Sequence, residues 1–147
     1  MKYHEMIREI PEARLEAEGL IFPENLQIQS FDLGIIIGNA LDNALEACRK
    51  LKCKRPEAEC FIRLCSFQKG KMFFVEVENS CERGIIKKPH SEFPKTDKED
   101  KSAHGMGLMN IKNTAERYDG GVDWSVSAGV FTLSVMMKNE RRREYVY

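Results

Sequence analysis

The sequence has no excess charge of either sign, no long apolar run and no cysteine pair at metal-binding spacing, and each absence removes a class of function. Lys plus Arg number 23 and Asp plus Glu number 23, for a net charge of zero. That balance argues against a general binder of nucleic acid or of an anionic membrane. The longest purely aliphatic run, Ile35-Ile36-Ile37, sits between Gly34 and Gly38, far short of the roughly 20 residues that cross a bilayer. No secretory apolar segment stands at the N-terminus. Cys48, Cys53, Cys60, Cys65 and Cys81 are odd in number and include no Cys-x-x-Cys, so neither a zinc knuckle nor a closed disulfide framework is indicated. Reduced thiols in a cytoplasmic protein are expected.

What is present is enough for one soluble domain with a real core: 147 residues, 42% hydrophobic and 31% charged. Residues 1–18 place Ile7, Ile10, Ala13 or Arg14, and Ala17 on one helical face, with Gly19 as a stop. A weak strand over Leu20–Ile28 is demoted to an edge by Pro23. Ser30 or Asp32 then suits the N-cap of a long helix, Leu33 to about Leu51. Leu33, Ile36, Ile37, Ala40, Leu41, Ala44, Cys48 and Leu51 form its apolar stripe. Two runs of period two, Cys60–Phe67 and Met72–Asn79, predict a hairpin.

From Glu82 to Ala103 the chain is charged and aperiodic and holds Pro89 and Pro94, the character of a lid or a disordered segment. A helix is expected to open near Gly107, carry Leu108, Ile111, Ala115 and Tyr118 on one face, and stop at Asp119-Gly120-Gly121. A closing hairpin follows, with Val122, Trp124 and Val126 alternating, a turn at Ala128-Gly129, and Phe131, Leu133, Val135 and Met137 alternating back. Residues 139–147 form a charged tail.

Three features exceed what a core requires. Asn39, Asn43 and Glu46 fall within about 60° of one another beside the apolar stripe, and two mid-helix asparagines carry a small propensity cost. A solvated face explains one such residue; two at this spacing also suit a ligand. Asn79 is in phase with the buried side of its strand, where a polar group must find a partner; it either ends the strand in a turn or meets a ligand atom. His104-Gly105-Met106-Gly107-Leu108 is a small-residue turn at a helix opening, where free amides and the positive dipole end favour a phosphate. It lacks the Gly-Lys-Ser/Thr of a P-loop and the acidic follower of a dinucleotide fold.

In order, these pieces resemble the nucleotide-binding (GHKL) domain shared by DNA gyrase, the ninety-kilodalton heat-shock chaperone, histidine kinases and MutL. Residues Leu33 to Ala47 look like the N-box, Val77-Glu78-Asn79-Ser80 stands where the first Gly box belongs, and His104 to Ile111 resembles the second. Asp42-Asn43-Ala44-Leu45-Glu46-Ala47 and the His-Gly-x-Gly-Leu turn are most similar to sensor histidine kinases of the quorum-sensing peptide-receptor (Agr) type, with the citrate-sensor type next.

The resemblance implies an α+β fold, a two-layer Bergerat-type sandwich in which a mixed, mostly antiparallel sheet carries about three helices on one face. It implies an enzyme: the catalytic domain of a protein histidine kinase that binds ATP and Mg²⁺ and shows little activity alone. Asn43 would coordinate Mg²⁺, with Asn39 supporting the phosphate end. Asn79 would accept from the adenine amino group, with Thr132 as a second adenine contact. Gly105, Gly107 and Leu108 would present amides to the phosphates beside His104. Lys95, Lys98 and Lys101 are lid cations that either reach the nucleotide or only solubilise the loop.

The expected domains are 1–18, the end of a dimerisation-domain helix; 19–138, the ATP-binding domain with its lid at about 82–104; and the tail 139–147. Expected partners are the parent's own dimerisation and histidine-phosphotransfer domain and a response regulator, with no nucleic acid; the fragment is expected to be monomeric. The parent would be anchored in the bacterial cell membrane with this domain in the cytoplasm. The sequence also departs from the family pattern. Asn79-Ser80-Cys81-Glu82-Arg83 lacks the acid and both glycines of Asp-x-Gly-x-Gly, which predicts modest ATP affinity, since a neutral acceptor is weaker than a charged one. Histidine kinases often carry a basic residue where Glu46 stands. Asn39 occupies the place of the water-activating Glu of ATP-hydrolysing relatives and cannot act as a base. A degenerate docking module and an anti-sigma-type serine kinase are the alternatives.

Overall fold

The computed structural model describes residues 14–82 and 101–141, with 101–105 as backbone alone. Along the chain run β1 (Arg14–Gly19), α1 (Ser30–Lys54), β2 (Phe61–Lys69), β3 (Met72–Ser80), α2 (Lys101–Glu116), β4 (Gly121–Ser127) and β5 (Val130–Lys138). The five strands form one sheet in the order β1-β2-β3-β5-β4. Only β1 and β2 are parallel; the other pairs are antiparallel. The expected α+β sandwich, a mixed and mostly antiparallel sheet with helices on one face, is what forms, with two helices among the described residues.

Alternation builds the core. Ile62 and Leu64 on β2, Phe73, Val75 and Val77 on β3, and Leu133, Val135 and Met137 on β5 are buried on one sheet face. Ile36, Ala40, Ala44 and Cys48 of α1 and Leu108, Ile111 and Ala115 of α2 close over that face. On the opposite face Arg63 bonds Glu16 at 2.9 Å and Glu78 at 3.0 Å, and Phe67 stacks on Phe74 with centroids 4.8 Å apart.

Four sequence expectations need correction. Residues 14–18 were expected to end a helix and instead belong to β1. Leu15 and Ala17 pack against the core while Glu16 reaches Arg63 of the neighbouring strand, so the pattern satisfies period two, and sheet pairing decides. The strand expected at Leu20–Ile28 is irregular chain, tied down by the buried Ser66, whose Oγ accepts from Ile21 N–H at 2.8 Å and donates to Ile21 C=O at 2.7 Å. The cap of α1 is Gln29, without a side-chain bond; Ser30 and Asp32 lie inside the helix. Finally, α2 opens at Lys101 and not near Gly107. Packing of Leu108, Ile111 and Ala115 outweighs the roughly 1 kcal/mol that each helical glycine costs.

The predicted stop after α2 is a Schellman closure. Gly120 N–H bonds Ala115 C=O at 3.0 Å and Asp119 N–H bonds Glu116 C=O at 3.1 Å, with Asp119 in the left-handed region at φ 54°. The β4–β5 turn has positive φ at both central residues, Ala128 at 51° and Gly129 at 79°, the two-residue geometry that matches strand twist.

Candidate functional site: a cleft between the two helices

Asn39 and Asn43 sit one turn apart on α1, half-buried beside its core-facing stripe. The Asn39 Nδ2 donates back to Ile35 C=O at 2.7 Å, which engages the donor end of the carboxamide and orients its oxygen. A Cβ built on Gly107 of α2 would meet that oxygen at 3.3 Å. The fold therefore brings together Asn39 and Gly107, residues 68 positions apart in the sequence. Among the described residues no hydrogen bond engages the Asn39 oxygen or the Asn43 side chain. Glu46, on the same stripe, pairs along its own helix with Arg49 at 3.8 Å and Lys50 at 3.9 Å.

Asn79 lies near the end of β3, directly opposite Ile62 on β2 and Phe131 on β5. It is 1% exposed, and its Nδ2 donates to Ser80 C=O at 3.0 Å. The expected phase is thus observed: Asn79 is on the helix-covered face and the strand runs on through Ser80. Thr132 is a correction. It pairs with Glu78, one position off Asn79, so the pleat turns it to the open face. There it lines a depression of about 460 Å³ with Glu76, Ser125 and Ser134, and the sheet separates it from Asn79.

The second Gly box also differs in detail. His104, Gly105, Gly107 and Leu108 lie inside α2 rather than in a turn ahead of it. A helix leaves only its first four amides free, here those of 101–104, so the amides of Gly105, Gly107 and Leu108 are spent on the helix. Lys101 is the first helical residue. Lys95 and Lys98, and lid positions 83–100, lie outside the described residues, as do residues 1–13 and 142–147.

One group that periodicity did not single out frames the cleft at its far end. Asp32, 5% exposed in the first turn of α1, accepts from Arg117 at 2.8 Å and from the Tyr118 hydroxyl. The same hydroxyl accepts from Gln29 N–H at 3.1 Å. The only sequence signal was an acid in a first turn, which the helix dipole alone explains.

Thiol chemistry does not compete here. Burial, and then the neighbouring Cys60, push the Cys48 thiol up to about 12, and Cys81 is also raised by burial. Neither is a ready thiolate at neutral pH. Among the described residues no cluster of three or more His, Cys, Asp or Glu side chains could hold a metal. With the Glu46 carboxylate drawn to Arg49 and Lys50, the oxygens that Asn39 and Asn43 offer a cation are amide oxygens, which suit a hard ion such as Mg²⁺ when a ligand supplies further oxygens.

A family model described as a GHKL domain matches residues 28–138. No curated protein matches the sequence. Among solved structures, the fold is similar to histidine kinase AdeS of Acinetobacter baumannii, with TM-score 0.64, 10% identity, and 95% of this chain covering 60% of that one. A nucleotide-free form of the catalytic domain of histidine kinase ThkA gives TM-score 0.62 at 17% identity, covering 94% of this chain and 87% of that one. The histidine kinase domain from the blue-light-activated kinase EL346 of Erythrobacter litoralis gives 0.59 at 14%, covering 92% and 57%. At these identities the likeness is one of fold, and the chain spans about 60% of the AdeS structure. The family match spans every described element except β1, including the helix that carries Asn39 and Asn43 and the one that carries Gly107, and with the neighbours' shared sandwich it settles kinship: this chain belongs to the GHKL-domain family.

Proposed function

We propose that this chain is the Mg²⁺-ATP-binding catalytic domain of a sensor histidine kinase, of the Agr or citrate-sensor branch, which presents the γ-phosphate to a histidine on a separate domain. The observation that carries the reading is the pair of carboxamides on α1, with the Asn39 oxygen held against Gly107. The residues fit the cofactor: Gly107 brings α2 close to an oriented oxygen on Asn39, and Asn43 one turn on adds a second oxygen. Bound there, the metal would neutralise phosphate charge, and positioning with charge neutralisation is most of what phosphoryl transfer asks of a protein. Asn43 would hold the metal through its oxygen and Asn39 would support the phosphate end. Asn79 accepts from the adenine amino group once the purine replaces what now covers it. For Gly105, Gly107 and Leu108 to offer amides to phosphate, the first turns of α2 must unwind.

No carboxylate stands at Asn39, so the chain holds no base there to activate water, which favours transfer over hydrolysis. The acceptor imidazole is nucleophilic when neutral and needs no strong base from this chain. In the parent protein the domain would face the cytoplasm from a membrane anchor and serve a response regulator. Since β1 is part of the sheet, the catalytic unit begins no later than Arg14.

The second reading, a docking module without nucleotide, draws on the burial of Asn79 and the missing glycines of the first box. A fluorescent-nucleotide titration with and without Mg²⁺ separates the two. Binding that strengthens with Mg²⁺, and that Asn43→Ala abolishes, supports the kinase domain; no binding at millimolar ATP gives the module.

A further inference from the structure

Two antiparallel struts border the cleft, and they are tied together at the end away from Asn79. Asp32 stands in the first turn of α1; Arg117 and Tyr118 follow the last turn of α2. The carboxylate receives both the guanidinium and the hydroxyl, and the hydroxyl also takes Gln29 N–H, the backbone donor of the α1 cap. Lys138 N–H on β5 donates to Tyr118 C=O at 2.8 Å, which anchors the same residue to the sheet. A buried carboxylate is a poor way to add stability, because an apolar group of like volume usually does as well. Its distinctive property is geometric: sliding either helix by one residue, about 1.5 Å, breaks both bonds.

Asp32 precedes Asn43 by 11 residues, about 16 Å along a straight helix. Gly107 precedes Arg117 by 10, about 15 Å on the other strut. A rotation at the clamp is therefore enlarged where Asn39 meets Gly107 and where Asn43 stands. The two helices are already close-packed there, since a Cβ on Gly107 would meet the Asn39 oxygen at 3.3 Å.

We infer that the Asp32–Tyr118–Arg117 clamp is a positioning device that sets the separation of α1 and α2, and through it the affinity of the cleft for a Mg²⁺-bound nucleoside triphosphate. The nucleotide limb of this inference rests on the proposed function; the geometric limb does not. Tyr118→Phe removes the hydroxyl and keeps the ring. Asp32→Asn keeps the shape but puts a donor in place of one acceptor oxygen, so one of the two bonds that Asp32 accepts is lost. Val75→Ala, in the core on β3 and cross-strand from Ser66 and Val135 rather than from Asn79, serves as a destabilised control away from both the clamp and the nucleotide residues.

The test measures a fluorescent ATP analogue with Mg²⁺, the denaturation midpoint, and amide hydrogen exchange of the three variants and the parent. Tyr118→Phe is expected to weaken nucleotide binding about fivefold to tenfold, and Asp32→Asn to weaken it in the same direction, while Val75→Ala stays within about twofold of the parent. Exchange should quicken in Tyr118→Phe at the Asn39–Asn43 turn and at 107–109, and not in Val75→Ala. If Tyr118→Phe loses stability like the control but keeps its affinity, with faster exchange confined to residues 29–32 and 117–118, the clamp is only structural and the inference falls. If the parent protein binds no nucleotide, the proposed function fails, and the exchange comparison alone decides the clamp.

Discussion

Gly107→Ala should separate stability from binding. In a helix interior the exchange favours the folded state by about 0.5–1 kcal/mol, because alanine has less backbone entropy to lose. Against this stands one contact. The new Cβ would meet the Asn39 oxygen at 3.3 Å and the Asn39 Cβ and Cγ at 3.9 Å. Only the first is tight, and a shift of a few tenths of an ångström in the Asn39 carboxamide relieves it. That shift strains the bond from Asn39 Nδ2 to Ile35 C=O, a bond whose net value is about 0.5–1.5 kcal/mol. The two effects nearly cancel, so the denaturation midpoint should stay close to the parent's. Nucleotide affinity should not, since the methyl displaces the Asn39 carboxamide assigned to the phosphate end; a loss of tenfold or more, about 1.4 kcal/mol, is expected. Urea unfolding and titration with a fluorescent ATP analogue in Mg²⁺ measure the two quantities on one preparation. Unchanged affinity beside unchanged stability would refute the assignment of the Asn39 carboxamide to the ligand.

Gly120→Ala should be severe, about 3 kcal/mol or more, because its Cβ would fall 1.7 Å from the Met136 carbonyl oxygen, on backbone that cannot yield without parting β4 from β5; calorimetry reads the loss. Ala128→Asn should stabilise by about 0.5–1 kcal/mol, since Ala128 holds φ 51° in a turn that prefers Asn-Gly, and a higher melting temperature checks it. Stability should fall as pH rises from about 9 toward 12. The Cys48 thiol is raised from 9.0 to about 12 in the fold, so over that window the unfolded chain binds fewer protons than the native one and loses its thiol proton first. The slope attributable to Cys48 is at most about 1.4 kcal/mol per pH unit. Cys65 and Cys81, also raised by burial, add to it, and Cys48→Ala should flatten the denaturation-midpoint profile.

Several elements were legible because one local pattern was enough. The β2–β3 and β4–β5 hairpins alternate without ambiguity, and the stripe from Ile36 to Leu51 can be buried on only one side of a helix. Asn39 and Asn43 stood out as a polar pair bordering such a stripe and Asn79 as a polar residue inside an alternating run, and their observed positions match the phase that the pattern gave them. Where two periods fitted the same residues, the sequence could not choose. Arg14–Gly19 serves a helix face or a strand, and the free edge of β2 with Arg63 waiting beside Glu16 makes it a strand.

The start of α2 was misplaced for a related reason: glycine lowers helix propensity locally, while the burial that offsets it comes from α1 and the sheet. Thr132 falls on the opposite face from Asn79 on parity alone, because one residue along β5 is the other face of the sheet.

By itself the sequence determined the layers, the order of the motifs and the stripe on which the carboxamides lie, since these follow from periodicities of two and 3.6 residues. Only the tertiary structure decided that Asn39 faces Gly107 and that Asp32 joins Tyr118 across 86 residues. Contacts of that span are fixed by how two helices settle on one sheet, and no local spacing records it.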